Sequence, residues 1–177
     1  NCNTAIGFKS YEGDEGNTTA SNNTACGYEA LRVCTTGSEN CAFGMSAADY
    51  VTTGSSNTAI GYQALSDAST AGRSTAVGYR ALKSVTTPTT SANTAVGYCA
   101  GEEITTGTSN TCIGYEAGDD ITTGTSNTAV GAGALGARTT ANSATAYGAS
   151  SLQALTSGDY NTGIGYQTLS AITTSEY

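Results

Sequence analysis

The stretch Asn57–Leu65 reads NTAIGYQAL, and close copies of it recur from one end of the 177-residue chain to the other. With Asn57 as position 1 of a repeat, the copies begin at Asn3, Asn23, Asn40, Asn57, Ser74, Asn93, Asn110, Asn127, Ala144 and Asn161. Successive copies are 20, 17, 17, 17, 19, 17, 17, 17 and 17 residues apart. A fixed period that fills the chain is typical of a repeat architecture. We therefore interpret residues 1–177 as a single repeat domain.

Two segments of each repeat have the features of short strands. Position 4 is mostly β-branched or large, position 5 is glycine in all ten copies, and position 6 is Tyr or Phe in seven. Position 12 is often apolar and runs into Thr-Thr-Gly, as at Thr52–Gly54. Recurring glycine and β-branched residues oppose a helix, and a propeller blade needs about 40 residues. The pattern predicts an all-β fold: a flattened parallel β-solenoid of about ten 17-residue coils, stacked about 4.8 Å apart.

Alternation along a strand predicts which residues face the interior. We expect position 4 and the Thr at position 2 to point inward, with Ala at position 3 and Gly at position 5 forming a smooth outer strip. The glycine is expected to turn a corner through positive φ or a close approach. Asn at position 1, present in eight copies, and the aromatic residue at position 6 are expected to form ladders along the stack. The two insertions, at residues 11–17 and 88–92, are predicted to be surface loops.

Composition excludes several functions. The formal charge of −8, from 14 acidic and 6 basic residues, argues against binding a phosphate backbone, so we expect no nucleic-acid partner. The chain has no His, which removes Ser-His-Asp and Cys-His catalysis. No apolar run approaches the roughly 20 residues needed to cross a bilayer, so membrane insertion is not expected. We predict that the protein is not an enzyme.

The six cysteines are even in number and include no Cys-x-x-Cys pair, which favours disulfides over a zinc site. Disulfides persist in oxidising compartments, so an extracellular, cell-surface or virion-surface location is predicted. The alternative is that some cysteines are free thiols replacing small core residues. The pairs predicted from repeat position and the geometric range of disulfides are Cys34 with Cys41, Cys99 with Cys112 and, by elimination, Cys2 with Cys26.

Two pairs of acidic residues occupy the same positions of adjacent coils. Glu102 and Glu103 are at positions 10 and 11 of one coil, and Asp119 and Asp120 at the same positions of the next. Stacking brings the four carboxylates within about 5 to 7 Å of one another. Like charges at that spacing repel unless a cation or water screens them. The pattern predicts a calcium site, with a solvated acidic patch as the alternative and no other cofactor.

Two N-glycosylation sequons lie near the N-terminal end of the sequence. They are Asn17-Thr18-Thr19 and Asn22-Asn23-Thr24. Glycans at Asn17 and Asn22 are therefore predicted, with ordinary turn residues as the alternative.

Repeats of the form Asn-Thr-Ala-Ile/Val-Gly-Tyr-x-Ala-Leu followed by Thr-Thr-Gly resemble those of tail-fibre-like proteins of phages and large viruses. They are also similar to the head repeats of trimeric autotransporter adhesins. The resemblance covers residues 3–177. It implies an extended β-solenoid, often a homotrimer, that serves as a surface fibre or adhesive stalk. A single-chain filament stapled by disulfides is the alternative.

Two function classes follow. The first is a structural or adhesive extracellular fibre module whose partners are further copies in a filament or homotrimer, and a surface glycan or host receptor. The last copy ends at Tyr177 with no polar cap after it, so we expect end-to-end assembly or a place in a longer fibre. The alternative is an ice- or carbohydrate-binding solenoid that uses Thr rows at positions 2, 13 and 14, repeating at about 4.8 Å. Against it, Thr52 and Thr53 are expected to point opposite ways, and position 2 is expected inside.

Overall fold

The computed structural model describes residues 2–13, 19–86, 91–137 and 139–174. Ten three-residue strands form one parallel sheet in chain order. They are β1 (Thr4–Ile6), β2 (Thr24–Cys26), β3 (Cys41–Phe43), β4 (Thr58–Ile60), β5 (Thr75–Val77), β6 (Thr94–Val96), β7 (Thr111–Ile113), β8 (Thr128–Val130), β9 (Thr145–Tyr147) and β10 (Thr162–Ile164). Equivalent positions pair, so that Thr58 lies opposite Thr75 and Ile60 opposite Val77. The predicted parallel β-solenoid with a coil of about 17 residues is confirmed.

The predicted second strand of each coil is wrong. Among the described residues, the structure outside these ten strands has one isolated bridge, between Ile121 and Thr139. At the Thr-Thr-Gly segment, the N–H groups of Thr52, Thr53 and Gly54 all donate to the single carbonyl of Ser69, at 2.9, 3.0 and 3.4 Å. Because three successive donors converge on one acceptor, the chain bends there and no ladder of successive bonds can form.

The backbone between the strand and this bend alternates in the sign of φ. Position 7 and position 9 are left-handed, as in Gln63 with φ of 51° and Leu65 with φ of 54°. The alternation turns the N–H of Gln63 toward Met45 in the coil before and the N–H of Leu65 toward Ala81 in the coil after. A left-handed residue with a side chain costs roughly 1–2 kcal/mol. These hydrogen bonds between coils offset that strain.

The interior is lined by small side chains from the sheet, which reverses the predicted facing. Ala59 at position 3 is fully buried, whereas Ile60 at position 4 is 40% exposed. The large core side chains come from positions 9 and 12 on the opposite wall, such as Leu65 and Ile104. Because a 17-residue coil is narrow, only one wall can carry large side chains. The sheet therefore contributes alanine to the core, and the β-branched residues and Thr58 point outward.

The corner predicted at position 5 is confirmed. Gly61 has a φ of +130°, and a Cβ placed there would lie 2.4 Å from the carbonyl oxygen of Gly78 in the next coil. The neighbouring corners repeat this contact, as between Gly78 and Gly97 at 2.1 Å. The glycines thus form a column in which backbone touches backbone. The two predicted insertion loops fall partly outside the described residues, which omit 14–18 and 87–90.

The predicted asparagine ladder is also confirmed, although its bonds run mainly from side chain to backbone. Asn57 is 1% exposed. Its Nδ2 donates to the carbonyl of Ala71 at 2.8 Å, which closes its own coil. Its Oδ1 accepts the N–H of Ser74 in the next coil at 3.0 Å. Each such residue therefore closes one coil and joins it to the next.

Candidate interaction face

The outward side chains of positions 2, 4 and 6 form three parallel rows, which together we call the outer face. The position-2 row contains Thr4, Thr24, Cys41, Thr58, Thr75, Thr94, Thr111, Thr128, Thr145 and Thr162. The position-4 row contains Ile6, Cys26, Phe43, Ile60, Val77, Val96, Ile113, Val130, Tyr147 and Ile164. The position-6 row contains Phe8, Tyr28, Met45, Tyr62, Tyr79, Tyr98, Tyr115, Ala132, Ala149 and Tyr166. The 14 acidic and 6 basic residues all lie at other positions, so no residue of the three rows is charged. Lys9 borders the outer face, with its Nζ 5.8 Å from the centroid of the Phe8 ring.

The threonine hydroxyls of the position-2 row are free to meet solvent or a partner. Within the part of the chain that the structure describes, they make no hydrogen bond to protein. The threonines at position 13 behave differently, because their hydroxyls bond the carbonyl of the next coil. Thr52 donates to Ser69 at 2.9 Å, and Thr105 donates to Thr122 at 3.1 Å. Of positions 2 and 13, position 2 is therefore the one whose hydroxyls are not bonded to the next coil. The position-14 residues Thr53 and Thr123 are exposed as well.

Apolar side chains dominate the rest of the outer face. Ile60 and Ile113 are each 40% exposed, and Val96 is 38% exposed. Across nine spacings between ten strands, the outer face is about 43 Å long. Exposed apolar side chains that continue along the whole stack make this face a candidate interaction surface.

The aromatic ladder predicted at position 6 is confirmed in part of the stack. Tyr62 and Tyr79 have ring centroids 5.2 Å apart, Tyr79 and Tyr98 4.9 Å, and Tyr98 and Tyr115 5.3 Å. Their interplanar angles are 15°, 5° and 8°. Because the rings stack on each other, an inner ring such as Tyr98 turns its edge outward and its two faces toward its neighbours. The ladder is interrupted where position 6 is Met45.

The predicted calcium site is not assembled. Glu102 pairs with Arg80 of the preceding coil, with Oε1 and Nη2 2.6 Å apart, whereas Asp119 belongs to the following coil. Burial, and then the charge of Asp120, raises the pKa of Asp119 to about 6. In the described residues, no group of three or more His, Cys, Asp or Glu side chains is placed to hold a metal ion. The residues predicted as ligands were Glu102, Glu103, Asp119 and Asp120.

None of the predicted disulfides is formed, because all six cysteines are free thiols. Cys34 is buried in the core, where its Sγ donates to the carbonyl of Gly37 at 3.2 Å, while Cys41 lies on the outer face. Cys112 takes the place of the buried alanine at position 3 and points inward. The alternative, that cysteines replace small core residues, describes Cys112, whereas Cys34 occupies position 12, where most coils carry a larger core residue. The pairs that are not formed are Cys34 with Cys41, Cys99 with Cys112, and Cys2 with Cys26.

One of the two predicted glycosylation sites can be located. Asn22 is exposed and has a φ of 59°, at the last position before the buried Asn23. Asn17 lies outside the described residues.

The described part of the chain has no pocket and no helix long and apolar enough to cross a bilayer. Comparison of the chain with protein-family models, curated proteins and solved structures gives no match. The candidate site is therefore the outer face itself. This surface is not predicted from the sequence, because strand alternation there places positions 2 and 4 in the core. The absence of charge at positions 2, 4 and 6 in every copy was the signal that could have found it.

Proposed function

We propose that this chain is a rigid module of an extracellular structural or adhesive fibre, and that copies associate side by side through the outer face. The observation that carries the proposal is that the three rows of the outer face contain no charged residue in any of the ten coils. Such a fibre would place a surface glycan or host receptor in contact with its outward-facing parts. A homotrimer or a larger bundle with the outer faces turned inward is the assembly that this surface favours.

The hydrogen-bonding pattern supports a mechanical role. Strand pairing, the left-handed turns and the Thr52 bend all direct backbone hydrogen bonds from one coil to the next. The buried asparagines add two bonds per coil, as at Asn57. A stack in which every coil is bonded to both neighbours resists bending and stretching. The proposed role as a spacer or stalk depends on that stiffness.

The composition of the outer face supports self-association over binding to a charged partner. No residue of the three rows is charged, so two outer faces oppose like charges only at their borders. A trimer, in which each copy contacts two others, buries more surface than a dimer.

Lysine substitutions on the outer face should dissociate the assembly into monomers. In the double variant Ile60→Lys/Val96→Lys, each interface would have to desolvate charges that have no partner, which costs several kcal/mol. We expect sedimentation velocity to report an oligomer for the parent chain and a monomer for the variant. Circular dichroism should be unchanged, since both residues are already exposed.

The matched control carries the same two charges on another side of the rod. Thr53→Lys/Thr123→Lys alters two exposed residues of position 14. It should sediment like the parent chain. A parent chain that is monomeric at all concentrations, or a control that dissociates as fully as the outer-face variant, would contradict lateral association through this surface.

The outward Thr row favours ice binding as a second candidate function. The rows Thr58-x-Ile60 and Thr75-x-Val77 present a hydroxyl, a methyl and a branched side chain on a parallel sheet in register, repeated at about 4.8 Å. An ordered, uncharged array of this kind can match a water lattice. A sugar platform is less well supported, because the inner rings of the Tyr79–Tyr98 stack cover each other's faces.

Thermal hysteresis tests this candidate. An ice-binding chain should separate its freezing and melting temperatures, and Thr75→Lys/Thr94→Lys should remove that gap. The Thr53→Lys/Thr123→Lys control should keep it. If the parent chain shows no hysteresis, ice binding is rejected and the fibre proposal is unaffected.

A further inference from the structure

We propose that Cys26 and Cys41 form disulfides between copies of this chain that pack side by side, in parallel and in register. The inference rests on the proposed lateral association. Cys41 is the one position-2 residue that is not Thr, and Cys26 is the one cysteine of position 4. These two residues are the thiols of the outer face.

The two thiols lie on adjacent strands. Cys26 ends β2 and pairs with Phe43, while Cys41 begins β3 and pairs with Thr24. Both are partly exposed. They are therefore diagonal neighbours, displaced by one strand spacing and two residues.

This diagonal placement keeps the two thiols from bridging within one chain. One strand spacing of about 4.8 Å and two residues of about 3.3 Å each put the two Cα atoms roughly 8 Å apart. Cysteines whose Cα atoms are more than about 7 Å apart cannot form a disulfide without backbone movement. Since the sheet is held by hydrogen bonds on both sides of β2 and β3, each thiol remains available to a second copy.

Three of the other thiols are sheltered from the solvent. Cys34 and Cys112 are fully buried, and Cys99 is 8% exposed. Burial raises the pKa of Cys34 to about 11 and those of Cys99 and Cys112 to about 12, so these groups stay protonated. Disulfide exchange requires a thiolate, so these thiols are poor partners. Cys2 is exposed but lies before β1, outside the three rows.

The orientation of the copies decides whether the thiols meet. In a parallel arrangement in register, the coils that contain Cys26 and Cys41 face the same coils of the partner. In an antiparallel arrangement, the coil of Cys26 faces the coil of Thr145 and Tyr147, which has no cysteine on this face. Disulfides do bridge sheets packed face to face, as in immunoglobulin domains. A covalent dimer would therefore report parallel register.

The reaction is an exchange with a low-molecular-weight disulfide such as oxidised glutathione. The thiolate of one copy attacks the small disulfide, forms a mixed disulfide and releases one glutathione thiol. The thiolate of the second copy then attacks the mixed disulfide, which forms the S–S bond between chains and releases the second glutathione thiol. Two protein thiols are oxidised, one glutathione disulfide is reduced, and the two protons end on the released thiols.

The test uses the full chain carrying Cys2→Ser, so that the exposed terminal thiol cannot contribute. After equilibration in a glutathione redox buffer, we expect a covalent dimer or trimer on a non-reducing gel. Peptide mapping should show that each bridge joins a Cys26 or Cys41 residue of one chain to a Cys26 or Cys41 residue of another chain. The further double substitution Cys26→Ser/Cys41→Ser should remove more than nine-tenths of the covalent species.

A moved thiol controls for random collision. Thr53→Cys, added to the variant that lacks Cys2, Cys26 and Cys41, puts an exposed thiol on another side of the rod. It should give little covalent dimer. Equal cross-linking by this control, bridges that map to Cys99, or the absence of any covalent species would overturn the inference.

Sedimentation in reducing buffer separates the two proposals. If the chain associates there but does not cross-link on oxidation, this inference fails and lateral association stands. If the chain does not associate in reducing buffer, the proposed function fails, and any covalent species then reflects collision alone.

Discussion

Gly61→Ala is expected to lower the free energy of unfolding by about 4 kcal/mol or more, which is exceptional for the addition of one methyl group. Gly61 has a φ of +130°, a conformation that costs a residue with a side chain about 1–3 kcal/mol. In addition, its new Cβ would lie 2.4 Å from the carbonyl oxygen of Gly78. The Cβ and the oxygen are both attached to backbone that is hydrogen-bonded to adjacent coils. Neither can therefore move aside without breaking hydrogen bonds.

Urea denaturation followed by circular dichroism measures the effect, and Gly133→Ala is the matched control. Gly133 also has a positive φ, of +60°, but a Cβ there would meet only side-chain atoms, of Gln153 at 3.8 Å and Ser150 at 3.9 Å. Equivalent positions carry Gln63 and Glu116 with φ of 51° each. We expect Gly133→Ala to lower the free energy of unfolding by about 1–2 kcal/mol, the cost of a left-handed residue with a side chain.

The comparison separates crowding from loss of glycine as such. If the urea denaturation midpoints of Gly61→Ala and Gly133→Ala agree within error, the glycine column can accommodate the added Cβ. The backbone contact between Gly61 and Gly78 would then not be what fixes the coil spacing.

The repeat period predicted the architecture because stacking leaves few alternatives. Once position 5 is glycine and position 4 β-branched in every copy, equivalent residues must lie in register, as Ile60 and Val77 do. The asparagine column follows from the same register. These features depend on the spacing between equivalent residues of successive repeats, which can be read directly from the sequence.

The facing of the strand residues could not be predicted from hydrophobicity alone. Alternation correctly grouped positions 2 and 4 on one side and position 3 on the other, but the choice of inner side depends on the width of the coil. With Leu65 and Val85 filling the core from the opposite wall, only Ala59 and its equivalents fit beneath the sheet. Side-chain volume, and not apolar character, decided which row is buried.

The arrangement of the candidate site residues could not be predicted for a related reason. Repeat position gave the height of Glu102 and Asp119 along the rod, but not the direction of each carboxylate in a segment whose φ alternates in sign. Glu102 turns to Arg80 in one direction along the stack. Cys34 and Cys41 were likewise close in coil number but lie inside and outside the wall. The coil in which a residue lies is predictable from the sequence. The direction of its side chain, into the core or out of it, depends on the shape of the coil's cross-section.

Asn57→Ala is expected to lower the free energy of unfolding by about 2–5 kcal/mol. The substitution leaves the carbonyl of Ala71 and the N–H of Ser74 without their partners, which are now 2.8 and 3.0 Å away. Both groups lie in the wall of a coil where Asn57 is 1% exposed, so water does not replace the lost bonds without opening the stack. Each unsatisfied buried group costs roughly 1–3 kcal/mol.

Asn57→Ser should fall between the parent chain and Asn57→Ala, because Ser74 already plays this part in its own coil. Its Oγ accepts the N–H of Asn93 at 3.3 Å, a longer bond than the amide provides. Thr53→Ala, at an exposed position, is the control and should be within about 0.5 kcal/mol of the parent. Hydrogen exchange gives the decisive reading, since the amide of Ser74 should lose protection in Asn57→Ala and keep most of it in Asn57→Ser. If Ser74 keeps full protection in both variants, the asparagine column does not join the coils, and the stiffness that the fibre requires must come from the strand ladder and the glycine corners alone.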